Sequence, residues 1–162
     1  NNISKVKLIN YLSLCIGHKG LALGQSLDLE FENKNISKNK ILDMYSRKTG
    51  KLFEFSFAAP FVLKNKSKDD IKFAQEFGML FGLIFQIIDD LIDEIGTFKK
   101  IGKTPGKDAK QGKSTLLVLV GKKEVIKLCK IKINNFTKKY KRRLDQNPLL
   151  TTLIKFGMSR VN

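Results

Sequence analysis

Apolar residues recur every three to four positions along most of the chain, a spacing typical of helices that bury one face. This pattern predicts helices over residues 5–19, 39–62, 69–94, 115–120 and 124–145, and a last one from Pro148 to about Met158. Pro60 lies late in the second of these and is expected to kink or end it. The best strand candidate, the alternation at residues 53–57, lies between helical flanks and has no partner strand. We therefore predict an all-α fold in a single domain over residues 1–162.

Polar residues at the predicted helix ends support these boundaries. Ser67 precedes the long helix and is followed three residues later by Asp70, as in a capping box. Ser37 can cap the helix over residues 39–62, and either Ser114 or Thr115 can cap the next helix after the long one. Residues 96–112 hold four glycines and Pro105 and are expected to form a loop.

The chain is strongly basic, with a formal net charge of +16, which raises the question of a nucleic-acid or membrane partner. Lysine is spread along the whole sequence, however, and only residues 122–143 are densely basic. That segment keeps an apolar stripe at helical spacing, formed by Val125, Cys129, Ile133, Phe136 and Tyr140. The pattern favours a helix with a solvated basic face, and no aromatic residues alternate with the lysines as they do where bases stack.

The sequence also bears on the cellular compartment. Cys15 and Cys129 lie far apart without metal-ligand spacing, which fits a reducing environment. Residues 1–10 lack the pattern of a signal peptide. The longest apolar run, residues 77–88, is shorter than the roughly 20 residues that a bilayer span needs. We expect a cytoplasmic protein without a transmembrane segment.

One polar stripe interrupts the apolar helix over residues 77–94. Gln86, Asp89, Asp90 and Asp93 fall three, four and seven positions apart and so share one face. Oxygen ligands without a nearby His or Cys favour Mg²⁺ over zinc. The alternative is that the stripe is only the exposed end of the helix, but carboxylates are unfavourable at a helix C-terminus. The stripe therefore predicts a magnesium site.

The following loop adds cations to these carboxylates. Lys103, Lys107 and Lys113 lie shortly after the stripe, and a helix that starts near Ser114 would direct backbone N–H groups towards an anion. Divalent cations combined with lysines are the charge balance of a polyphosphate site.

These motifs resemble a known family. The sequence Phe-Gln-Ile-Ile-Asp-Asp-Leu-Ile-Asp at residues 85–93, together with Gly102, Lys103, Asp108 and Lys113, closely resembles the second aspartate-rich region of polyprenyl synthetases. Residues 24–29 are similar to the family's Gly-Gln-x-x-Asp-Leu segment, and Lys48 and Thr49 match the Lys-Thr pair that follows it. The ending at residues 156–160 is similar to the C-terminus of the family.

The resemblance implies a fold, a reaction and a set of residue roles. The fold would be the C-terminal half of the all-α isoprenoid synthase bundle. The reaction would be the Mg²⁺-dependent condensation of an allylic prenyl diphosphate with isopentenyl diphosphate to farnesyl or geranylgeranyl diphosphate. The implied ligands of Mg²⁺ are Asp89, Asp90 and Asp93, the implied diphosphate contacts are Lys48, Lys103 and Lys113, and Thr49 and Gln86 would lie beside the reacting carbons. Phe73, Phe77, Phe81 and Phe85 would help to wall a prenyl cavity, although at least two of them are expected to be ordinary core.

The sequence departs from the family in one respect. The first aspartate-rich motif, the Gly-Lys-x-x-Arg segment before it and the paired arginines after it are absent from these 162 residues. We therefore expect a fragment, a split gene product or one subunit, which is inactive alone and acts as a homodimer or with a complementing N-terminal half. Two alternatives remain open at this stage: a non-catalytic prenyltransferase-like subunit, and a basic helical protein that binds nucleic acid or a membrane surface.

Overall fold

The computed structural model describes residues 2–95 and 113–160, and all regular structure in these two stretches is helical, which confirms the all-α prediction. The elements are α1 (Asn2–Ile16), α2 (Leu21–Glu30), α3 (Lys38–Tyr45), a π-helical turn (Ser46–Gly50), α4 (Lys51–Leu63), α5 (Lys68–Ile95), α6 (Leu116–Lys139), α7 (Lys141–Asp145) and α8 (Pro148–Ser159). The predicted loop over residues 96–112 lies outside the described residues.

The single helix predicted over residues 39–62 is divided in the structure. Its first and last parts are α3 and α4, and between them the chain widens into the π-helical turn while the backbone keeps helical dihedral angles on both sides. Residues 53–57, the best strand candidate, lie inside α4, which agrees with the helix predicted over residues 39–62. Pro60 lies inside α4, and the helix ends at Leu63, within a turn of the proline.

The boundaries of α5 agree with the sequence. Ser67 Oγ accepts a hydrogen bond of 3.1 Å from the backbone N–H of Asp70 and donates one of 2.7 Å to its carboxylate, which confirms the predicted cap. Residues 21–29, for which no helix was predicted, form α2, and α1 ends at Ile16 rather than Lys19. Small residues interrupt the apolar periodicity of α2, so the spacing of apolar residues in the sequence did not predict this helix.

The start of α6 distinguishes between the two candidate caps. Thr115 Oγ1 accepts a hydrogen bond of 3.2 Å from the N–H of Val118, so Thr115 is the N-cap. Ser114 Oγ instead lies 2.7 Å from the carbonyl oxygen of Phe31 and 2.8 Å from that of Lys34, and these two acceptors share its single hydroxyl proton. The predicted interruption after residue 120 occurs at Gly121, whose φ of 78° is a left-handed value that glycine adopts without steric cost.

The described chain forms two compact units. The first unit contains residues up to Asp28 and Leu42–Leu83, and the second contains Leu29–Ile41 and the residues from Ile84 onwards. The core of the first unit is formed by Cys15, Met44, Tyr45, Ala58, Phe73, Ala74, Phe77, Leu80 and Leu83. The core of the second is formed by Phe31, Ile41, Ile84, Ile87, Ile88, Leu91, Leu116, Val125, Cys129, Phe136, Leu144 and Ile154. The single domain over residues 1–162 stays a prediction, since compact units of this size also occur within one domain.

Two further features of the sequence can be compared with the helices. In α6, Val125, Cys129 and Phe136 are buried and Lys127 and Lys138 are exposed, as a solvated basic face requires.

Among the described residues, the segment Lys68–Glu94 is long and apolar enough to cross a membrane, which the shorter run at residues 77–88 did not indicate. Of the most apolar 18-residue window of this segment, 56% is buried inside the protein. One such helix is weak evidence for a membrane span, since the core helices of soluble proteins can be equally long and apolar.

Candidate active site

The polar stripe of α5 is largely buried. Because α5 is unbroken, Gln86, Asp89, Asp90 and Asp93 lie within roughly one third of the helix circumference. Asp90 is only 6% exposed and Asp93 only 5%, while Asp89 is half-buried. The interpretation of the stripe as a merely exposed helix end is therefore wrong for Asp90 and Asp93.

The stripe contains an internal hydrogen bond. Gln86 Nε2 donates to Asp90 Oδ1 over 2.9 Å, one turn further along α5. A carboxylate that accepts an amide N–H is fixed in orientation, and its charge is partly stabilised in the protein interior. The structure thus couples two of the predicted site residues directly, within the second unit.

The three aspartates do not by themselves form a metal-binding group. In residues 2–95 and 113–160, no three His, Cys, Asp or Glu side chains lie close enough together to hold a metal ion. The helix explains this, since the neighbouring positions Asp89 and Asp90 diverge by about 100° around its axis. Their donor chemistry nevertheless suits Mg²⁺, which usually takes one or two protein carboxylates and completes its shell with water and substrate phosphates. The residues fit a metal that is shared with a substrate, and not a closed protein cage.

Lys48 and Thr49 lie in the π-helical turn of the first unit, and both are half-buried. Single π-helical turns occur frequently at functional sites. Lys48 Nζ donates a hydrogen bond of 2.5 Å to Asp28 Oδ2, in a pair whose side chains are 24% and 11% exposed. Next to it, Arg47 donates from Nη1 to the carbonyl oxygen of Lys19 over 2.8 Å, which ties the turn to the end of the α1–α2 connection.

The backbone of α2 passes unusually close to this turn. A Cβ atom added to Gly24 would collide with the backbone of Lys48, so only glycine allows this approach. Gly24 lies one turn before Asp28 on α2, and one face of α2 therefore contacts Lys48 at both its backbone and its ammonium group. Sequence reasoning placed Gly24 and Asp28 in one motif but assigned them no role, because no spacing rule links positions 28 and 48.

The remaining predicted cations are placed differently. Lys113 is half-buried in the extended residues before α6, and the hydroxyl of the following Ser114 anchors that segment to residues 31–34 of the same unit. Lys103, with Lys107 and Asp108, lies outside the described residues. Lys48 and Thr49 belong to the first unit and Gln86, the three aspartates and Lys113 to the second.

The four phenylalanines of α5 differ in environment. Phe73 and Phe77 are buried core residues, as expected for at least two of the four. Phe81 is half-buried and packs edge-on against Phe53 and Phe57 within the first unit. Phe85 is 37% exposed, and the guanidinium of Arg160 lies 5.7 Å from its ring centre. Phe81 and Phe85 therefore remain the candidates for a cavity wall.

Comparison with known proteins agrees with the motifs. The model of the polyprenyl synthetase family matches residues 1–147. The chain is 33% identical over 156 residues to a farnesyl diphosphate synthase of Micrococcus luteus, covering 96% of this chain and 54% of that protein. It is 40% identical over 96 residues to a short chain isoprenyl diphosphate synthase of Methanocaldococcus jannaschii, covering 59% and 29% of the two chains. The crystal structure of a geranyltransferase from Helicobacter pylori, complexed with magnesium and isoprenyl diphosphate, superposes with a TM-score of 0.81 at 28% identity over 98% of this chain and 52% of that one.

The chain thus spans about half the length of the first curated relatives it matches, or less. The assignment to the C-terminal half depends on the second aspartate-rich motif and stays a prediction.

Proposed function

Because the chain belongs to the polyprenyl synthetase family, we propose that it supplies the diphosphate-binding part of a short-chain trans-prenyltransferase. The substrates would be an allylic prenyl diphosphate and isopentenyl diphosphate, and the product farnesyl or geranylgeranyl diphosphate. Relatives named as farnesyl and geranylgeranyl diphosphate synthases support this chain-length class. The single observation that carries the proposal is that Asp90 and Asp93 are buried on the face of α5 that also carries Gln86 and the half-buried Asp89, which places three carboxylates, the ligand type that Mg²⁺ takes, on one helix face.

The proposal assigns a role to each site residue. Asp89 and Asp93 would hold Mg²⁺, which when bound would neutralise the diphosphate and favour its departure, and Asp90, oriented by Gln86, would ligate directly or through water. Lys48, Lys103 and Lys113 would donate hydrogen bonds to the diphosphate oxygens. Gln86 and Thr49 would lie beside the reacting carbons. The C–O bond to diphosphate breaks, the double bond of isopentenyl diphosphate forms the new C–C bond, and a proton is lost.

A partner is part of this proposal. On α1, the exposed side chains of Val6 and Ile9 lie on the side of the helix opposite the buried Ser4 and Cys15, and those of Ile3 and Leu14 are exposed between these two sides. An exposed apolar helix face of this kind marks a surface that another protein covers. We propose that a second copy of the chain or a complementing N-terminal half covers it, and that the assembled enzyme acts in the cytoplasm.

The binding part of the proposal can be tested on the chain alone. Mg²⁺ together with a prenyl diphosphate should raise the melting temperature, since a ligand at a hundred times its Kd adds about 2.7 kcal/mol of stability. Zn²⁺ should do less because the ligands are hard oxygens, and Ca²⁺ should do less because it takes about six to eight oxygen ligands, whereas Mg²⁺ usually needs only one or two protein carboxylates besides water and phosphate. Asp89→Asn should abolish the shift, while Asp69→Asn, an exposed carboxylate in the first turn of the same helix, should retain it. An unchanged melting temperature at saturating Mg²⁺ and prenyl diphosphate would contradict the proposal.

The catalytic part needs a second measurement. We expect no prenyl product from the chain alone and turnover after addition of a complementing half. Turnover by the isolated chain would contradict the need for a partner. Mg²⁺-dependent binding without turnover in any combination would instead identify a non-catalytic prenyltransferase-like subunit.

A further inference from the structure

We propose that Asp28 is a positioning residue for the reaction: its carboxylate holds the Lys48 ammonium in the orientation that meets the diphosphate. The inference rests on the proposed function, because Lys48 is its diphosphate contact. It adds a residue to which the motif itself assigns no task.

The geometry of the ion pair supports this role. Asp28 Oδ2 lies 2.5 Å from Lys48 Nζ, and the Asp28 side chain is only 11% exposed. A lysine ammonium has three N–H donors, so the bond to Asp28 leaves two donors for an anion. Because a lysine has four rotatable bonds, an ammonium without a fixed partner samples many positions and loses orientation. Asp28 removes that freedom before the anion arrives.

The backbone of Lys48 is also held in place by α2, through the contact at Gly24. Gly24 lets α2 approach the π-helical turn so closely that the Lys48 backbone contacts it, and Asp28 lies one turn further along the same helix. Both ends of Lys48, its backbone and its Nζ, are therefore fixed by one short stretch of α2. Arg47, through the carbonyl oxygen of Lys19, anchors the turn at the neighbouring position.

A purely electrostatic role and a positioning role of Asp28 predict opposite effects of Asp28→Asn on pyrophosphate affinity. Asp28→Asn removes a negative charge beside the proposed anion site, so electrostatics alone predicts tighter binding of pyrophosphate. If Asp28 positions Lys48, the same substitution weakens binding, because Lys48 loses its fixed orientation. The direction of the change in affinity therefore separates the two roles.

Asp43 provides a matched control. Asp43 Oδ2 accepts a hydrogen bond of 2.8 Å from Arg47 Nε, directly beside Lys48 in the chain, and its side chain is 51% exposed. Asp43→Asn makes the same change in charge close to the same turn without touching Lys48. It should leave pyrophosphate affinity unchanged or slightly higher.

The experiment is titration calorimetry of inorganic pyrophosphate with Mg²⁺ on the full chain. We expect Asp28→Asn to weaken pyrophosphate binding by about three- to tenfold. In a chain that already carries Lys48→Met, Asp28→Asn should have no further effect on that affinity, since substitutions of two interacting residues have non-additive effects. Unchanged or tighter binding by Asp28→Asn, or additive effects of the two substitutions, would overturn the inference alone. Absence of Mg²⁺-dependent pyrophosphate binding by the unmodified chain would overturn the proposed function, and this inference with it.

A spectroscopic measurement makes the test independent of binding. In the unmodified chain, the ¹⁵N-labelled ammonium of Lys48 should exchange its protons slowly because it is held by Asp28, and Asp43→Asn should preserve that signal. Asp28→Glu keeps the charge but moves the carboxylate by one methylene, so it replaces Asp28→Asn if that variant does not fold. It should shift the signal of the Lys48 ammonium and weaken pyrophosphate binding. A rapidly exchanging Lys48 ammonium in the unmodified chain would contradict the positioning role.

Discussion

The phenol of Tyr11 donates a hydrogen bond of 3.0 Å to Oε1 of Glu54, a nearly buried carboxylate, and thereby joins α1 to α4. Lys51 Nζ donates to the other oxygen of Glu54 over 2.7 Å, and Gln75 Nε2 donates to the Tyr11 hydroxyl over 3.1 Å. Burial, more than any neighbour, raises the pKa of Tyr11 well above its usual range, so the phenol remains a donor at ordinary pH. This polar network connects three helices of the first unit.

Tyr11→Phe should lower the free energy of unfolding by about 1–3 kcal/mol, because it removes a donor from buried Glu54 and an acceptor from Gln75. Urea denaturation measures the change. Ser56→Ala is the control, since the exposed Ser56 hydroxyl donates only to the carbonyl of Leu52 in its own helix, and it should change stability by at most about 0.5 kcal/mol. Equal effects of the two substitutions would contradict a structural role for the network.

The sequence predicted those elements that local chemistry controls. The long apolar run and the Ser67 cap place α5 within one residue of its observed ends, because both signals act within a few positions. The shared face of Gln86, Asp89, Asp90 and Asp93 likewise follows from helical periodicity alone.

The features that the sequence did not predict depend on distant parts of the chain. Ser114 and Thr115 are both good caps locally, and the carbonyls of Phe31 and Lys34 decide between them by engaging Ser114. The pairing of Asp28 with Lys48 depends similarly on the close approach that Gly24 allows. Neither contact is encoded by a spacing rule, since the partners are separated by many residues.

Substitutions in α5 and at Lys113 should distinguish residues of the site from residues that only stabilise the fold. In an assembly restored by a complementing half, Asp89→Ala and Lys113→Ala should each lower kcat by at least about 10²-fold, the usual cost of one lost transition-state contact. Asp70→Ala should cost only about 0.5–2 kcal/mol of stability, because Asp70 belongs to the Ser67 cap. Steady-state kinetics and thermal melts measure both. Equal losses of turnover for Asp70→Ala and Asp89→Ala would contradict this division.

The basic face of α6 provides a further control for the same kinetics. Replacement of exposed Lys138 and Lys139 by Gln should alter solubility and the response to salt but leave kcat unchanged, because a solvated face contributes little to a remote reaction. Loss of turnover, or steep salt-dependent DNA binding that these substitutions remove, would favour the nucleic-acid alternative.

Stability should fall at alkaline pH in part through Cys129. Burial raises the pKa of this thiol from an ordinary 9.0 to about 11, with Lys132 acting weakly in the opposite direction. Because the folded pKa lies above the unfolded one, the contribution is complete below about pH 9 and is lost progressively as the pH rises to about 11. It amounts to at most roughly 3 kcal/mol. Cys129→Ala should flatten the pH dependence of unfolding in this window, as measured by urea titrations, and an unchanged slope would contradict the assignment.

The exposed apolar face of α1 should control association. Val6→Glu together with Ile9→Glu should shift the chain towards the monomer, or block its assembly with a complementing half, because both side chains lie on that face. The substitutions lower the net charge below its native +16, so electrostatic repulsion between copies decreases and cannot account for lost association. Leu63→Glu, at an exposed apolar position at the end of α4, is the control and should leave the molar mass unchanged. Analytical ultracentrifugation measures the mass, and an unchanged association state of the α1 variant would show that another surface forms the contact.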